Sequence, residues 1–281
     1  MPAFVFRWLR SSSGNGHIRF GTEPNKRVQD GPKRHWLCLE CEGRLNKGET
    51  QFATSIFHPY LQRSGSRFGY AHWMIEFATS LSWRVMRFYR DEVGLKDWEP
   101  EALARLDEAD QVWREVLLGK RHHPGANQQH MLPLDEIASA TGDLEPNINR
   151  YLMRAVDMDI VRGGRNIFTY AKLGRFIFIG FVYEPALENW RGTKIHATVG
   201  AIEPRNYVVP HPFGRYLNQK AARMSHLMNS VSPAQQAKID DAFHANVDRF
   251  IDSDAYKAML ADLGLFGDAA FTRTDKSGNE P

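Results

Sequence analysis

The chain has 281 residues, of which 42% are hydrophobic and 25% are charged, and its formal net charge is +3. This length suits one large domain, or one domain with a small appendage, and the composition is that of a globular protein. The net charge does not by itself indicate a nucleic-acid partner, and no apolar run approaches the roughly 20 residues that a membrane span needs.

The compartment is indicated by the start of the chain and by its cysteines. The first ten residues lack the apolar core and the small-residue cleavage site of a signal peptide. Cys38 and Cys41, the only cysteines in the sequence, stand too close together to build a stabilising disulfide framework. A cytoplasmic location, with no membrane partner, is therefore expected.

The first 69 residues are rich in Ser, Gly, Pro and Arg and carry only short apolar runs. We expect short strands at residues 17–20 and 34–37 on either side of a turn at residues 30–32. A helix over residues 42–57 is predicted next, although Gly48 weakens its pattern.

Two strongly periodic helices follow. Apolar residues at helical spacing predict one helix over residues 70–93 and another over residues 100–118. Pro100 suits the first turn of the second helix, and Gly119 provides its stop. Two amphipathic helices joined by a short link are expected to pack together as a helical hairpin.

The middle of the chain predicts a small antiparallel sheet. Strand patterns occur at residues 156–161, 166–170, 175–183 and 194–202, with links of hairpin length. Residues 175–183 are almost continuously apolar, so this strand is expected at the centre of the sheet. The short links exclude the long crossovers of a parallel sheet, and the fold class is therefore α+β.

The last part of the chain returns to helix. Ser232 and Gln235 form an N-cap and a capping-box residue around Pro233, which predicts a helix that continues to Ile251. A short helix ending near Gly264 is expected after it. Residues 268–281 are polar and lack an apolar period, so they are predicted to be a disordered tail.

Cys38 and Cys41 are the candidate metal ligands. They lie three residues apart at the predicted start of a helix, a spacing that supplies half of a tetrahedral zinc site. The nearest imidazoles, those of His17, His35 and His58, do not stand in the spacing of a second ligand pair. Two small structural thiols without a metal are the alternative interpretation.

Positive charge is concentrated at the start of the chain. In the first 35 residues, seven basic side chains face only Glu23 and Asp30. This segment is a candidate surface for the phosphates of DNA or RNA, and a solvated surface is the alternative. The seven basic residues are Arg7, Arg10, Arg19, Lys26, Arg27, Lys33 and Arg34.

The first long helix carries a second candidate surface. Trp83 stands beside Arg84, Arg87 and Arg90, a combination of aromatic and basic side chains that can bind single-stranded nucleic acid. An ordinary amphipathic helix with a solvated arginine edge explains the same pattern. No Ser-His-Asp or Cys-His arrangement is visible in the sequence.

Two weaker candidates remain. His122, His123 and His130 are predicted to lie in a surface loop between a helix and the sheet, and a metal site there is the less favoured interpretation. Asp157 and Asp159 alternate with apolar residues, which favours the solvated face of a strand over a catalytic pair.

Three segments of the N-terminal region resemble a set of uncharacterised bacterial proteins. They are Phe4-Val5-Phe6-Arg7-Trp8-Leu9, Asn25-Lys26-Arg27-Val28-Gln29-Asp30-Gly31 and Leu37-Cys38-Leu39-Glu40-Cys41-Glu42. Phe57-His58-Pro59-Tyr60 and Ser80-Leu81-Ser82-Trp83-Arg84-Val85 extend the resemblance to about residue 90. The N-terminal module of that set is similar to the treble-clef zinc fold of HNH endonucleases.

The resemblance implies a degenerate treble-clef-like module at residues 1–65. The helix and strand patterns described above predict an α+β domain at residues 66–267 and a disordered tail at residues 268–281. In the treble-clef pattern, a first CxxC and a His-Ile-Ile-Pro-like segment precede the CxxC that closes the site at a helix start. This chain matches only the second half, through Cys38 and Cys41. Glu42 stands where many HNH enzymes carry a histidine.

Three functions are consistent with this pattern. The first is a zinc-finger-like binding protein that contacts DNA or RNA through the basic N-terminal segment. The second is an HNH-type metal-dependent nuclease, truncated or inactive as written, because the histidine base is missing. The third is a helical protein-interaction module in which the cysteine pair is structural.

The apolar start of the sequence leads to a further expectation. The chain opens with the apolar residues Phe4, Val5, Phe6, Trp8 and Leu9, whereas natural N-termini are more often polar and frayed. We therefore expect in-frame codons just upstream to encode a histidine and a CxxC. The longer product would bind one zinc ion per chain, and the 281-residue form would bind zinc weakly or not at all.

Overall fold

The computed structural model combines helices with antiparallel sheets, which confirms the predicted α+β class. The residues that it describes are 1–13, 16–21, 23–31, 36–139 and 142–271. Of the tail predicted at 268–281, the first residues form a short 3₁₀ helix (Gly267–Ala270), and residues 272–281 lie outside the described part.

The α-helices within these residues are α1 (Ala3–Ser11), α2 (Leu39–Phe52), α3 (His58–Gln62), α4 (Trp73–Phe88), α5 (Pro100–Leu117), α6 (Ile148–Arg154), α7 (His211–Asn229), α8 (Pro233–His244), α9 (Val247–Ile251) and α10 (Asp254–Phe266). The strands are β1 (Ile18–Phe20), β2 (Glu23–Val28), β3 (Phe68–Tyr70), β4 (Gln129–Pro133), β5 (Val156–Gly163), β6 (Asn166–Leu173), β7 (Phe176–Tyr183) and β8 (Gly200–Ile202). None of the described helices is long and apolar enough to cross a bilayer.

The chain forms two compact units, each assembled from separate chain segments. The first unit consists of Met1–Phe4, Pro32–Leu134 and Val156–Pro210. The second unit consists of Val5–Gly31, Asp135–Ala155 and His211–Pro281.

The two long helices of the first unit agree with the sequence pattern except at the predicted start at residue 70, because Tyr70 ends strand β3 and α4 begins at Trp73. α4 continues into a π-helical turn (Tyr89–Val93), so that helical backbone reaches the predicted end at residue 93. α5 begins at Pro100 and is followed by Gly119, whose φ of +73° is a conformation that favours glycine. The pattern at residues 42–57 corresponds to α2 and a π-helical turn (Ala53–Phe57).

The largest sheet of the described residues also lies in the first unit. Its strands are ordered β4-β7-β6-β5, and every neighbouring pair is antiparallel. β7 is therefore an inner strand, as its apolar sequence predicted. Two-residue turns join β5 to β6 and β6 to β7, with Gly164 at a φ of +59° and Gly174 at a φ of +57°.

The prediction of one strand of this sheet is wrong. Residues 194–202 do not join the large sheet as a strand, because only Gly200–Ile202 is extended and it pairs with β3. Lys194 forms a single bridge to His130, and the Ile195 N–H donates to the Gln129 carbonyl at 2.9 Å before the chain leaves β4. The fourth strand is instead β4, which the sequence analysis did not predict.

α4 packs closely against the sheet of the first unit. The Phe77 ring stacks on Phe52 of α2 with centroids 4.6 Å apart and meets Phe178 of β7 edge-on at 5.4 Å. A Cβ atom at Gly180 would come within 2.3 Å of the Ser82 Oγ, so glycine permits this approach of helix and strand. The aromatic core fixes the orientation of α4, and with it the side chains on the helix's other face.

The second unit contains the hairpin β1–β2, in which Ile18 pairs with Val28 and Phe20 with Glu23. The strand predicted at residues 34–37 is not found at 36–37, and residues 34 and 35 lie outside the described part. β2 was not predicted, because its sequence is polar and charged, contains Pro24 and lacks a strand pattern.

The Ser232 cap is confirmed, since its side chain accepts the Gln235 N–H at 3.4 Å. The helix predicted to continue to Ile251 is interrupted, because Asn246 has a non-helical φ of −139° between α8 and α9.

Candidate thiol and groove site

Cys38 and Cys41 lie together at the start of α2, as predicted. Cys38 is the N-cap residue, with extended backbone (φ −72°, ψ 163°), and Cys41 lies in the first turn. Both thiols are free; Cys38 is exposed and Cys41 is partly exposed. The helix start therefore presents two thiols to solvent, at the end of the helix dipole that favours a thiolate.

The two thiols differ in acidity. The backbone N–H of Cys41, followed by the Cys41 side chain, lowers the pKa of the Cys38 thiol, because both stabilise its thiolate. The interaction with the Cys38 side chain raises the pKa of the Cys41 thiol, with Glu40 adding to the rise and Arg44 opposing it. Cys38 is thus the better nucleophile and the better first metal ligand of the pair.

The described residues do not gather a complete metal site. They contain no group of three or more His, Cys, Asp or Glu side chains placed to hold one ion. Of the three imidazoles considered above, His35 lies outside the described part, and His58 packs against Phe57 and Phe4 with ring centroids 5.2 and 6.4 Å away. The observed donors therefore fit half of a tetrahedral thiolate site.

A groove lies in the first unit. It has a volume of about 310 Å³ and is bounded by α4, α5 and the segment before α2. Trp36 lies on its wall, two residues before Cys38, so their α-carbons are at most about 7 Å apart. The lining residues are Trp36, Trp83, Arg87, Asp91, Asp110 and Arg114.

Helical spacing explains why these side chains share one groove. Trp83, Arg87 and Asp91 follow one another at intervals of four on α4 and its π-helical extension, and Asp110 and Arg114 have the same interval on α5. Residues four apart project from the same side of a helix. The sequence therefore contained a signal for Asp110 and Arg114, but their approach to Trp83 depends on how the two helices pack.

Ion pairs and one hydrogen bond order the walls of the groove. Trp83 Nε1 donates to Asp110 Oδ1 at 3.0 Å, and an Arg114 Nη1 atom lies 3.7 Å from the other oxygen of Asp110. Arg87 pairs with Asp91 at 2.8 Å. The groove thus combines two indole rings with two guanidinium–carboxylate pairs.

The other arginines of the predicted basic edge do not line the groove but form ion pairs with other helices. Arg84 pairs with Glu49 of α2 at 2.7 Å, and Arg90 pairs with Asp107 of α5 at 2.7 Å. Only Arg87 of this set lines the groove with Trp83.

The described part of the basic N-terminal segment belongs to the second unit. Arg7 and Lys26 are exposed, whereas Arg19 and Arg27 are partly buried and donate to Gln235 and Lys238 of α8 at 3.1 and 3.0 Å. Burial, and secondarily the charge of Arg27, lower the pKa of Arg19. Lys33 and Arg34 lie outside the described residues.

His130 does not lie in a surface loop. It is a buried residue of β4, where Nδ1 lies 2.7 Å from Thr193 Oγ1 and Nε2 lies 3.1 Å from Gln128 Oε1. Burial lowers the pKa of His130 to about 3, so the ring is neutral at physiological pH. Its two nitrogens both have partners, which makes it a core histidine. His122 and His123 are exposed, as predicted.

Asp157 and Asp159 are half-buried and not fully solvated. In the β5–β6 register they stand opposite Lys172 and Tyr170, both of which are completely buried. Burial lowers the pKa of Lys172 to about 7, and Asp157 opposes this shift. Sequence analysis missed Lys172 because a single lysine in an apolar strand gives no periodic signal.

No family model, curated protein or solved structure matches this chain.

Proposed function

We propose that the chain is a nucleic-acid-binding protein with a zinc-finger-like N-terminal module, in which Cys38 and Cys41 supply two zinc ligands. The observation that carries this proposal is the exposed thiol pair at the start of α2. Along the chain, the pair follows the antiparallel hairpin β1–β2. In the treble-clef pattern that the N-terminal segments resemble, a CxxC pair closes the zinc site at a helix start, which is the position of Cys38 and Cys41.

Zinc binding is supported by the acidity of one thiol of the pair, that of Cys38. Zinc takes thiolates, and the lowered pKa of Cys38 favours this form. Since two thiolates fill half of a tetrahedron, we expect weak zinc binding that depends on both cysteines.

Nucleic-acid binding is supported by two features. Arg7 and Lys26 are exposed members of the basic N-terminal segment, and the solvent-exposed ion pair of Lys26 with Glu23 at 3.3 Å is of the weak kind that a phosphate can replace. The groove of the first unit, lined by Trp36 and Trp83, adds indole rings and arginines, the side chains on which unpaired bases stack.

Zinc titration of the reduced protein under anaerobic conditions tests the first half of the proposal. We expect Cys38→Ser and Cys41→Ser each to weaken zinc binding at least about tenfold. Leu39→Ala is the matched control, because this side chain lies between the cysteines and is 90% exposed. Equal zinc affinity in the cysteine variants and the control would contradict the assignment of these ligands.

Salt-dependent binding of single- and double-stranded oligonucleotides tests the second half. The logarithm of the association constant should fall linearly with the logarithm of salt concentration. Arg7→Ala combined with Lys26→Ala should reduce the slope, whereas Lys257→Ala, a similarly exposed lysine of α10, should not. Binding that ignores salt, or no binding at all, would refute this function. Mg²⁺-dependent cleavage of the oligonucleotides would instead favour an HNH-type nuclease.

A helical protein-interaction module is the second candidate. α8, α9 and α10 expose between 36% and 48% of several large apolar side chains, namely Phe243, Val247, Ile251, Leu260 and Leu263. Sedimentation of the wild type against Phe243→Ser and Ile251→Ser tests this candidate. Self-association that the serine variants abolish, without nucleic-acid binding, would favour it.

A further inference from the structure

The groove is large enough for one small ligand. Its volume of about 310 Å³ lies at the lower end of the range of roughly 300–1,000 Å³ that small-molecule sites occupy. A single nucleobase with its sugar suits such a volume better than a large cofactor. Trp36 and Trp83 provide apolar ring surface for a planar group.

The charges of the groove select the chemistry of the ligand. Arg87 and Arg114 balance Asp91 and Asp110, so the formal charge of the lining side chains sums to zero. A simple cation would meet two guanidinium groups, and a simple anion would meet two carboxylates. The lining therefore fits a neutral planar group that carries both hydrogen-bond donors and acceptors.

The most accessible polar groups of the groove are one acid and one base. The side chain of Arg114 is 62% exposed and that of Asp91 is 38% exposed, whereas Asp110 is 13% exposed and already accepts the Trp83 indole. Asp91 and Arg114 are thus the most exposed acid and base of the lining; Asp91 also pairs with Arg87 through one oxygen, and Asp110 holds the groove wall in position.

We infer that the groove binds an unpaired guanine base. Guanine presents two adjacent donors, N1–H and N2–H₂, that match the two oxygens of a carboxylate such as Asp91. It also presents two adjacent acceptors, O6 and N7, that match the fork of an arginine such as Arg114. Adenine, cytosine and uracil lack this combination of a donor pair and an acceptor pair. The inference rests on the proposed nucleic-acid-binding function and names the base that this function would read.

Calorimetric titration of the full chain with the four ribonucleoside 5′-monophosphates tests the inference. We expect guanosine monophosphate to bind at least about tenfold more tightly than the adenosine, cytidine or uridine monophosphates. Equal affinities for all four, or no binding of the guanosine form at millimolar concentration, would overturn the inference. Tighter binding of a tetramethylammonium probe than of any nucleotide would overturn it as well, since it would identify a cation site.

Variants of the groove separate base recognition from mere stability. Trp36→Ala should weaken guanosine monophosphate about tenfold or more through lost stacking. Asp91→Asn should reduce the preference for guanosine over adenosine, because an amide cannot accept both guanine donors. The matched controls are Leu39→Ala, near Trp36, and Glu108→Gln, an exposed carboxylate of α5 outside the groove lining. Groove variants that keep both affinity and base preference would overturn the inference, provided that circular dichroism shows an intact fold.

A guanine-free oligonucleotide distinguishes this inference from the proposed function. If an oligothymidine binds with a salt-dependent affinity that Trp36→Ala and Asp91→Asn leave unchanged, and guanosine monophosphate does not bind, the function stands and the guanine site is refuted. If guanosine monophosphate binds and no oligonucleotide does, the site stands and the nucleic-acid-binding function is refuted.

Discussion

The indole Nε1 of Trp83 donates to Asp110 Oδ1 at 3.0 Å, and this bond joins the middle of α4 to the middle of α5. The two helices also share a hydrophobic core cluster, to which Met86 of α4 and Leu106 and Trp113 of α5 belong. Because Trp83 and Asp110 both line the groove, the bond that aligns the helices also fixes the shape of the candidate site.

Removal of this acceptor should destabilise the helical hairpin. In Asp110→Ala, the partly buried indole N–H of Trp83 loses its partner, and we expect the free energy of unfolding to fall by about 1–3 kcal/mol. Urea denaturation followed by circular dichroism measures this change. Asp107→Ala is the control, since this residue of α5 is 65% exposed and its ion pair with Arg90 should contribute less than about 1 kcal/mol. Equal effects of the two substitutions would contradict the structural role of Asp110.

In the second unit, a buried carboxylate holds the start of α6. Asp262 of α10 is fully buried and accepts Arg150 Nε at 2.7 Å and the Asn149 N–H at 2.7 Å. Asp262→Ala would leave a guanidinium and a backbone N–H without this acceptor, so we expect a loss of about 3–5 kcal/mol. Urea denaturation tests this, with Asp240→Ala on the exposed side of α8 as the control. If Asp262→Ala lowers the free energy of unfolding by less than about 1 kcal/mol, Asp262 does not hold the start of α6 as described.

The periodic parts of the sequence predicted the fold well. α4, α5 and β7 were recognisable because long apolar stripes or runs dominate their local pattern. β2 and β4 were missed, since β2 is polar and β4 is a five-residue strand that carries Gln129 and His130 among its apolar residues. Such strands form through pairing with a neighbour, which a local pattern does not contain.

The candidate site could be predicted only in part. The thiol pair is a local motif, and the structure places it at a helix start as expected. The groove depends on contacts between residues far apart in sequence, such as Trp83 and Asp110, which are separated by 27 positions. The sequence pattern indicated Trp83 and Arg87 as part of a basic aromatic edge, but it did not indicate Asp91 and Asp110, the two carboxylates that balance the arginines of the groove.

His130 should make the protein sensitive to acid. Its folded-state pKa of about 3 lies below the ordinary value of 6.5, so the unfolded chain binds more protons between these pH values. The stability that His130 provides while neutral is therefore full above pH 6.5 and is lost as pH falls towards 3, by about 1.4 kcal/mol per pH unit. The unfolding free energies of wild type and His130→Gln, measured from pH 7 to 4, should differ by a pH-dependent amount. The surface variant His122→Gln should show the same pH dependence of unfolding free energy as the wild type. If the free energies of all three proteins change with pH in parallel, His130 does not cause the acid sensitivity.

The buried Lys172 should make the stability of the protein depend on pH above neutrality. Burial lowers its pKa from 10.5 to about 7, so the unfolded chain binds the extra proton between these values and stability should rise with pH in that window. Lys172→Met should remove this rise and should be at least as stable as the wild type at pH 7, because a buried charge is replaced by an apolar chain of similar length. Urea denaturation from pH 7 to 9 checks both effects, with the exposed Lys96→Met as control. A variant that is several kcal/mol less stable at pH 7 would show that the charged lysine is required.

The unequal acidity of the thiols predicts which cysteine reacts first. Iodoacetamide should modify Cys38 faster than Cys41 near neutral pH, because Cys38 has the lowered pKa and Cys41 the raised one. Cys41→Ala should raise the pH midpoint of Cys38 alkylation only partly, since it removes the side-chain contribution and retains the larger one from the Cys41 backbone N–H. Fragment-ion mass spectrometry of alkylated samples across a pH series assigns each site. Faster modification of Cys41 would contradict the prediction that Cys38 is the more acidic thiol. So would a pH midpoint of Cys38 alkylation that is the same in Cys41→Ala and the wild type.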